Sequence, residues 1–350
     1  MSRYSRMFSR LRAAGEGAFV PFVMLGDPTP ELSEEVVEAL IDGGADALEL
    51  GAPFSDPVAD GPTIQRAHIR ALEAGTGFAD ALAVVARVRA RHPEIPIGML
   101  IYGNVPFSVG TRDFYAECAR AGVDSVLLAD VPVREGDAFS AAAAAAGVDA
   151  VYIAPPSADA RTLDAVAASS RGYVYAVSRA GVTGTERAAS TVGLAASVAR
   201  LRADASAPVM LGFGISRPDQ VAEAIAAGAD GAISGSATVK IVEAHAPALA
   251  AAAGPDGDPS ALAAAVAAMR AELGEFVAAM KAAASSSKPR RMVDSLTPVC
   301  ASAFRSSSRS PSAGTSTSRC CPAPGRGAHR ASASRRTCTP SGPSRPGTTT

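Results

Sequence analysis

At 350 residues, 48% of them hydrophobic and 19% charged, the chain can bury a large core, which excludes wholesale disorder. Its formal net charge of −1 conceals a split: residues 286–350 carry eleven basic side chains against one acid, Asp294, leaving 22 basic and 33 acidic side chains in residues 1–285. Such an acidic body lacks the basic face that nucleic acid requires, and with Cys118 as its only cysteine it offers neither a disulfide framework nor a CxxC metal site.

The opening segment, MSRYSRMF, has no apolar run ahead of a cleavage site, and the Ala-rich stretches are interrupted by Asp, Arg and Gly, so neither a leader nor a membrane span is expected. A cytoplasmic protein with a short extra helix ahead of its first strand is the expectation. Short apolar or β-branched runs then recur at 19–25, 47–50, 96–102, 124–129, 150–153, 173–177, 208–212 and 231–233. Helix-period segments lie between them at 31–41, 78–91, 111–121, 137–146, 160–168, 192–201 and 220–227, and an Ala-rich helix over 262–284 closes the body. Thr29-Pro30 reads as an N-cap followed by proline at the first helical position, and Ser216 as a capping hydroxyl. Gly43, Gly122, Gly147 and Gly228 read as left-handed helix stops. Eight strand–helix units close most naturally into a (β/α)8 TIM barrel over residues 1–284. From 285 to 350 the pattern gives way to Ser, Arg, Pro and Thr, a tail expected to be disordered or an artefact of reading frame.

In such a barrel, chemistry belongs to the loops at the C-terminal ends of the strands. The second strand and its loop read LELGAPFSDPVADGPTIQ over residues 48–65. Glu49 interrupts an apolar strand, where a carboxylate must be solvated, paired or protonated; an outward-facing salt bridge is the plain alternative. Asp56 and Asp60 sit in a loop too long to be a mere connector. Different surroundings would give the two carboxylates different roles, a buried Glu49 shuttling a proton and a wetter Asp60 staying charged. Glycine-bearing loops follow the sixth, seventh and eighth strands: Ser178 to Arg187, Gly212 to Ser216, and Ile233 to Ala237. Glycines ahead of helix N-termini suit a phosphate group held by backbone amides. The four histidines, His68, His92, His245 and His329, lack metal-ligand spacing.

The string at 48–65, with 178–184, 212–220 and 231–242, closely resembles the α subunits of tryptophan synthase, over roughly residues 1–284. The resemblance implies a carbon–carbon lyase of tryptophan biosynthesis that cleaves indole-3-glycerol phosphate to indole and glyceraldehyde 3-phosphate by a retro-aldol route without a cofactor. It implies a β-subunit partner that carries pyridoxal phosphate, in an α2β2 tetramer, with Asp56, Pro57 and Asn104 on the loops facing it. Carried onto this sequence, the catalytic acid/base is Glu49, and Asp60 engages the indole N–H. Phe22, Leu100, Leu127, Ile153, Phe213 and Ile233 would wall the indole, and Tyr175 would border it beside Glu49. Thr183 lies on a loop that folds over the site, and Gly184, Gly214, Gly235 and Ser236 would hold the phosphate. A stand-alone lyase and a non-catalytic sensor subunit are the rival readings; the paired carboxylates speak against the sensor.

Overall fold

The computed structural model describes residues 1–177, 194–204, 207–212, 214–254 and 257–286. Its strands are β1 (Ala18–Met24), β2 (Leu48–Gly51), β3 (Ile97–Ile101), β4 (Ser125–Leu128), β5 (Asp149–Val151), β6 (Ile153–Ala154), β7 (Val174–Val177), β8 (Val209–Gly212) and β9 (Gly231–Ser234). All pairings are parallel, in the order β5-β4-β3-β2-β1-β9-β8-β7-β6. Only Tyr152 separates β5 from β6. The fifth expected strand therefore serves β4 with its first half and β7 with its second, and the sheet closes into the TIM barrel that the alternation of strands and helices implies.

Side-chain alternation sorts each strand into two faces. On β2, Leu48 and Leu50 join the cluster under the surrounding helices, while Ala47 and Glu49 turn inward. On β7, Val174 and Ala176 point outward, and Tyr175 and Val177, with Tyr173 just ahead of the strand, fill the barrel. The extra N-terminal helix is Arg3–Ala14; its buried residues Tyr4, Met7, Phe8 and Leu11 recur at helical spacing and close the barrel floor. Each such side chain gains about 1.5–3 kcal/mol on burial, which fixes the helix against the strands' N-terminal ends.

Three acids at those ends accept backbone N–H groups: Asp46 from Phe19, Asp124 from Ile97 and Asp230 from Val209. Arg10 and Lys281 pair with Asp46, Arg3 and Arg89 with Asp124, and Arg202 with Asp230. Each acid follows a Gly-Ala or Gly-Val step, a recurrence also present at Gly147-Val148-Asp149.

Several boundaries differ from the sequence reading. Thr29 does cap its helix, accepting from the Leu32 N–H. Ser216 does not cap the helix Pro218–Ala226: the Gln220 carboxamide instead accepts from the backbone N–H groups of Ser216 and Arg217, and the Ser216 hydroxyl donates to it. Gly122, Gly147 and Gly228 are left-handed as expected, whereas Gly43 is right-handed and Gly44 takes the positive φ of 95°. The helices Pro62–Glu73 and Asn104–Val109 were not foreseen, and the last helix runs Pro259–Ser286, two residues past the expected end. The expected tail lies outside the described residues from residue 287 onward.

Gly43 is needed for proximity. A Cβ there would stand 2.8 Å from the Cβ of Val277 and 2.9 Å from the Gly274 carbonyl oxygen on the last helix. Gly43→Ala is therefore expected to force that helix outward and cost about 1–3 kcal/mol, read as a lower denaturation midpoint. An unchanged midpoint would show that the two helices separate freely.

Candidate active site

Glu49 stands on the inner face of β2, opposite Phe22 on β1 and Gly98 on β3. Gly98 leaves room there, since a Cβ at that position would lie 2.9 Å from the Tyr4 hydroxyl and 2.8 Å from Ser125 Oγ. The carboxyl is buried, and the Tyr173 hydroxyl donates to its Oε1 at 3.0 Å. Burial pushes the Glu49 carboxyl up to about 8; the Tyr173 hydrogen bond works the other way, and the charge of Asp60 adds to the rise. The outward-facing salt bridge allowed by the sequence is thus not what the fold builds.

Asp60 ends the loop after β2 and, 4% exposed against 2% for Glu49, is scarcely wetter than its neighbour. Its Oδ2 accepts from the Tyr102 hydroxyl at 2.7 Å and from His68 Nε2 at 3.2 Å. The two carboxylates differ in their donors rather than in their contact with water. Tyr102 stacks on Phe54 with ring centroids 5.1 Å apart, and its oxygen also accepts from the Ala59 N–H. Gln65 donates to the Asp60 carbonyl at 2.8 Å.

Most of the residues expected to wall the indole line the barrel interior or adjoin it. Leu127 and Ile233 are buried inside the barrel, with Leu100 and Ile153 packed partly exposed against that cluster. Phe22 belongs to a neighbouring cluster with Ile64 and Met24, which Leu100 also touches. Tyr175 is buried beside Ile153 in register, and the charges of both Glu49 and Asp60 act on its hydroxyl. A Cβ on Gly212 would fall 2.2 Å from that hydroxyl. Gly214 has φ 78°, and Gly235 is the N-cap of the helix Ser236–Ala253, whose first residue, Ser236, is buried. The Ser234 hydroxyl donates to the Ile215 carbonyl, tying the ends of β8 and β9 together beneath that helix N-terminus. Thr183, Gly184 and Phe213 lie outside the described residues.

Sequence reasoning missed Tyr173, Tyr102 and His68. Tyr173 lies two residues before Tyr175 on the same inward face, so the strand period could have flagged it. His68 falls six residues into a helix that was not foreseen. Among the described residues, no three His, Cys, Asp or Glu side chains are grouped to hold a metal ion, and no helix is long and apolar enough to cross a membrane.

The family model for the tryptophan synthase alpha chain matches residues 8–256. The chain belongs to that family. The tryptophan synthase alpha chain of Corynebacterium glutamicum is 57% identical over 283 residues, covering 81% of this chain and 99% of that protein. The alpha chain of Shewanella baltica is 52% identical over 281 residues, covering 80% and 96% respectively. Among solved structures, the alpha subunit from Legionella pneumophila superposes with a TM-score of 0.68 at 30% identity, covering 81% of this chain and 98% of that one. A chain of Mycobacterium tuberculosis tryptophan synthase superposes with a TM-score of 0.66 at 31% identity, covering 80% and 98%.

The raised Glu49 value has a consequence for stability. Between the ordinary value of 4.5 and about 8, the folded chain keeps a proton that the unfolded chain has released. Stability therefore falls as pH rises through that window. Glu49→Gln is expected to remove this slope, so that the variant gains on the wild type from about pH 5 to about pH 8 in denaturant midpoints. Parallel profiles would mean that Glu49 ionises normally.

Proposed function

We propose that the chain is the α subunit of a tryptophan synthase, cleaving indole-3-glycerol phosphate to indole and glyceraldehyde 3-phosphate. The observation that carries this reading is a buried carboxyl with a value near neutrality beside a second carboxylate held by two donors. Glu49, protonated at rest, gives its proton to the indole C3. The resulting indoleninium cation is stabilised by the Asp60 carboxylate at the ring N–H. Glu49 then takes the proton of the glycerol hydroxyl as the C–C bond breaks, its electron pair returning to the ring and the hydroxyl carbon leaving as an aldehyde. One group works in both directions because its value lies near the working pH.

The wall of Phe22, Leu100, Leu127, Ile153, Phe213 and Ile233 receives the indole, with Tyr175 at its edge, and Thr183 belongs to the covering loop. Gly184, Gly214, Gly235 and Ser236 take the phosphate; the backbone N–H groups at the start of an 18-residue helix support this assignment. The reaction on this chain needs no cofactor, pyridoxal phosphate being assigned to a β subunit in an α2β2 tetramer. The loops after β2 and β3 support a partner on this face: Asp56 and Asn104 are exposed, and the apolar Val58 and Phe107 are 73% and 81% exposed. The cytoplasm is the compartment proposed, and residues 287–350 contribute nothing to catalysis.

Glu49→Gln is expected to lower turnover at least about 10²-fold while binding of a non-cleavable indole phosphate survives. Asp60→Asn should slow turnover and keep the ionisation assigned to Glu49 in the pH–rate profile. A chain ending at Ser286 should release indole as the full chain does, and a β subunit should raise both. Retention by Glu49→Gln of more than about a tenth of wild-type turnover, with its pH dependence intact, would move the acid/base role to another group.

A further inference from the structure

His68 belongs to no part of the reaction just described, yet it is a buried titratable side chain in contact with Asp60. It lies on the inward face of the helix Pro62–Glu73 with Ile64, Ala67 and Ala71. Gln65 and His68, three residues apart and so adjacent on the helix surface, both reach back to Asp60, one to its carbonyl and one to its carboxylate.

The hydrogen bonds of the ring fix its state. The Phe54 backbone N–H donates to His68 Nδ1 at 3.0 Å, and an amide can only donate. Nδ1 therefore carries no proton, Nε2 carries it, and Nε2–H donates to Asp60 Oδ2. Phe54 and Asp60 stand near opposite ends of the loop that follows β2, so one neutral imidazole spans the loop between them. Tyr102 closes the arrangement: it donates to the same Asp60 oxygen, stacks on Phe54 and meets the His68 ring at 6.2 Å, edge to face.

We propose that His68 is the positioning residue for Asp60, holding the carboxylate at the indole N–H through a bridge that accepts from Phe54 and donates to Asp60. This rests on the proposed role of Asp60. With the bridge in place, Asp60 Oδ2 is fixed by donors from two different elements, the helix Pro62–Glu73 and the end of β3. Without it, Asp60 Oδ2 loses one of these two donors, and the Phe54 N–H loses its acceptor on the helix. A carboxylate displaced by about 1 Å from a developing cation loses about 10- to 10²-fold in rate.

The test is a double-mutant cycle on the full chain, reading kcat and KM for indole release together with the dissociation constant for glycerol phosphate. His68→Leu is expected to lower kcat about 10-fold or more with glycerol phosphate binding unchanged. In an Asp60→Asn background the same substitution should change kcat by less than about 2-fold, because a residue acting through Asp60 has nothing left to act on. His68→Gln, whose carboxamide offers both an acceptor and a donor, should recover most of the loss. Equal losses in both backgrounds, a wild-type kcat for His68→Leu, or a folded His68→Gln as slow as the leucine variant would overturn the bridge. Asp60→Asn as fast as wild type would overturn the role of Asp60 and the bridge with it, whereas a slow Asp60→Asn beside a fast His68→Leu overturns the bridge alone.

Discussion

A carboxyl group shut inside an apolar barrel is the constraint on which the rest of this structure depends. Glu49 occupies an inward position that the strand period would otherwise give to a Val or Leu, and it is almost wholly buried. An isolated carboxylate there would be costly, so the group holds its proton into the neutral range, with the Tyr173 hydroxyl as a donor to one oxygen. Proton chemistry near neutral pH thus follows from burial. The inner-facing Gly98 leaves the volume for Tyr4 and Ser125 beneath it.

The two ends of the barrel divide the labour. At the strands' N-terminal ends, Asp46, Asp124 and Asp230 accept strand N–H groups and pair with Arg or Lys, while the helix Arg3–Ala14 seals the interior. Burying those acids alone would be destabilising; their basic partners and amide donors offset the desolvation. At the opposite end the polar groups point into the site, and the hydrogen bonds of His68, Tyr102 and Gln65 converge on Asp60. Rigidity at the floor leaves the upper loops to carry the chemistry, the usual arrangement in this fold.

Much of this was legible in the chain. Apolar runs located all eight barrel strands, because parallel barrel strands are covered on both faces and read as continuous apolar segments. The helices Phe78–Arg91, Thr111–Ala121 and Asp137–Ala146 matched residue for residue, each bounded by glycine or by polar turn residues. The helix Pro62–Glu73 is hidden in the sequence because its first turn continues the Pro- and Gly-punctuated string that follows β2. The recurring Gly-Ala-Asp or Gly-Val-Asp step is readable as a helix stop, whereas the strand N–H that its acid accepts is set by the tertiary fold. Contacts between distant residues were not readable. Tyr173 lies 124 residues from Glu49, and Tyr102 lies 42 from Asp60; closure of the barrel brings the first pair together and the pairing of β2 with β3 the second. His68 looked like one of four scattered histidines because nothing local shows that helix Pro62–Glu73 folds back over Asp60.

The protonation state of Glu49 in the ligand-free chain is the quantity everything above turns on. A carbon-13 NMR titration of the side-chain carboxyl in glutamate-labelled protein, with the Glu49 signal assigned by its loss in Glu49→Gln, measures it directly. A midpoint near 8 is the expected result. A midpoint in the ordinary glutamate range, about 4.3, would mean that the barrel does not hold the proton there, and the acid/base role of Glu49 would lose its physical basis.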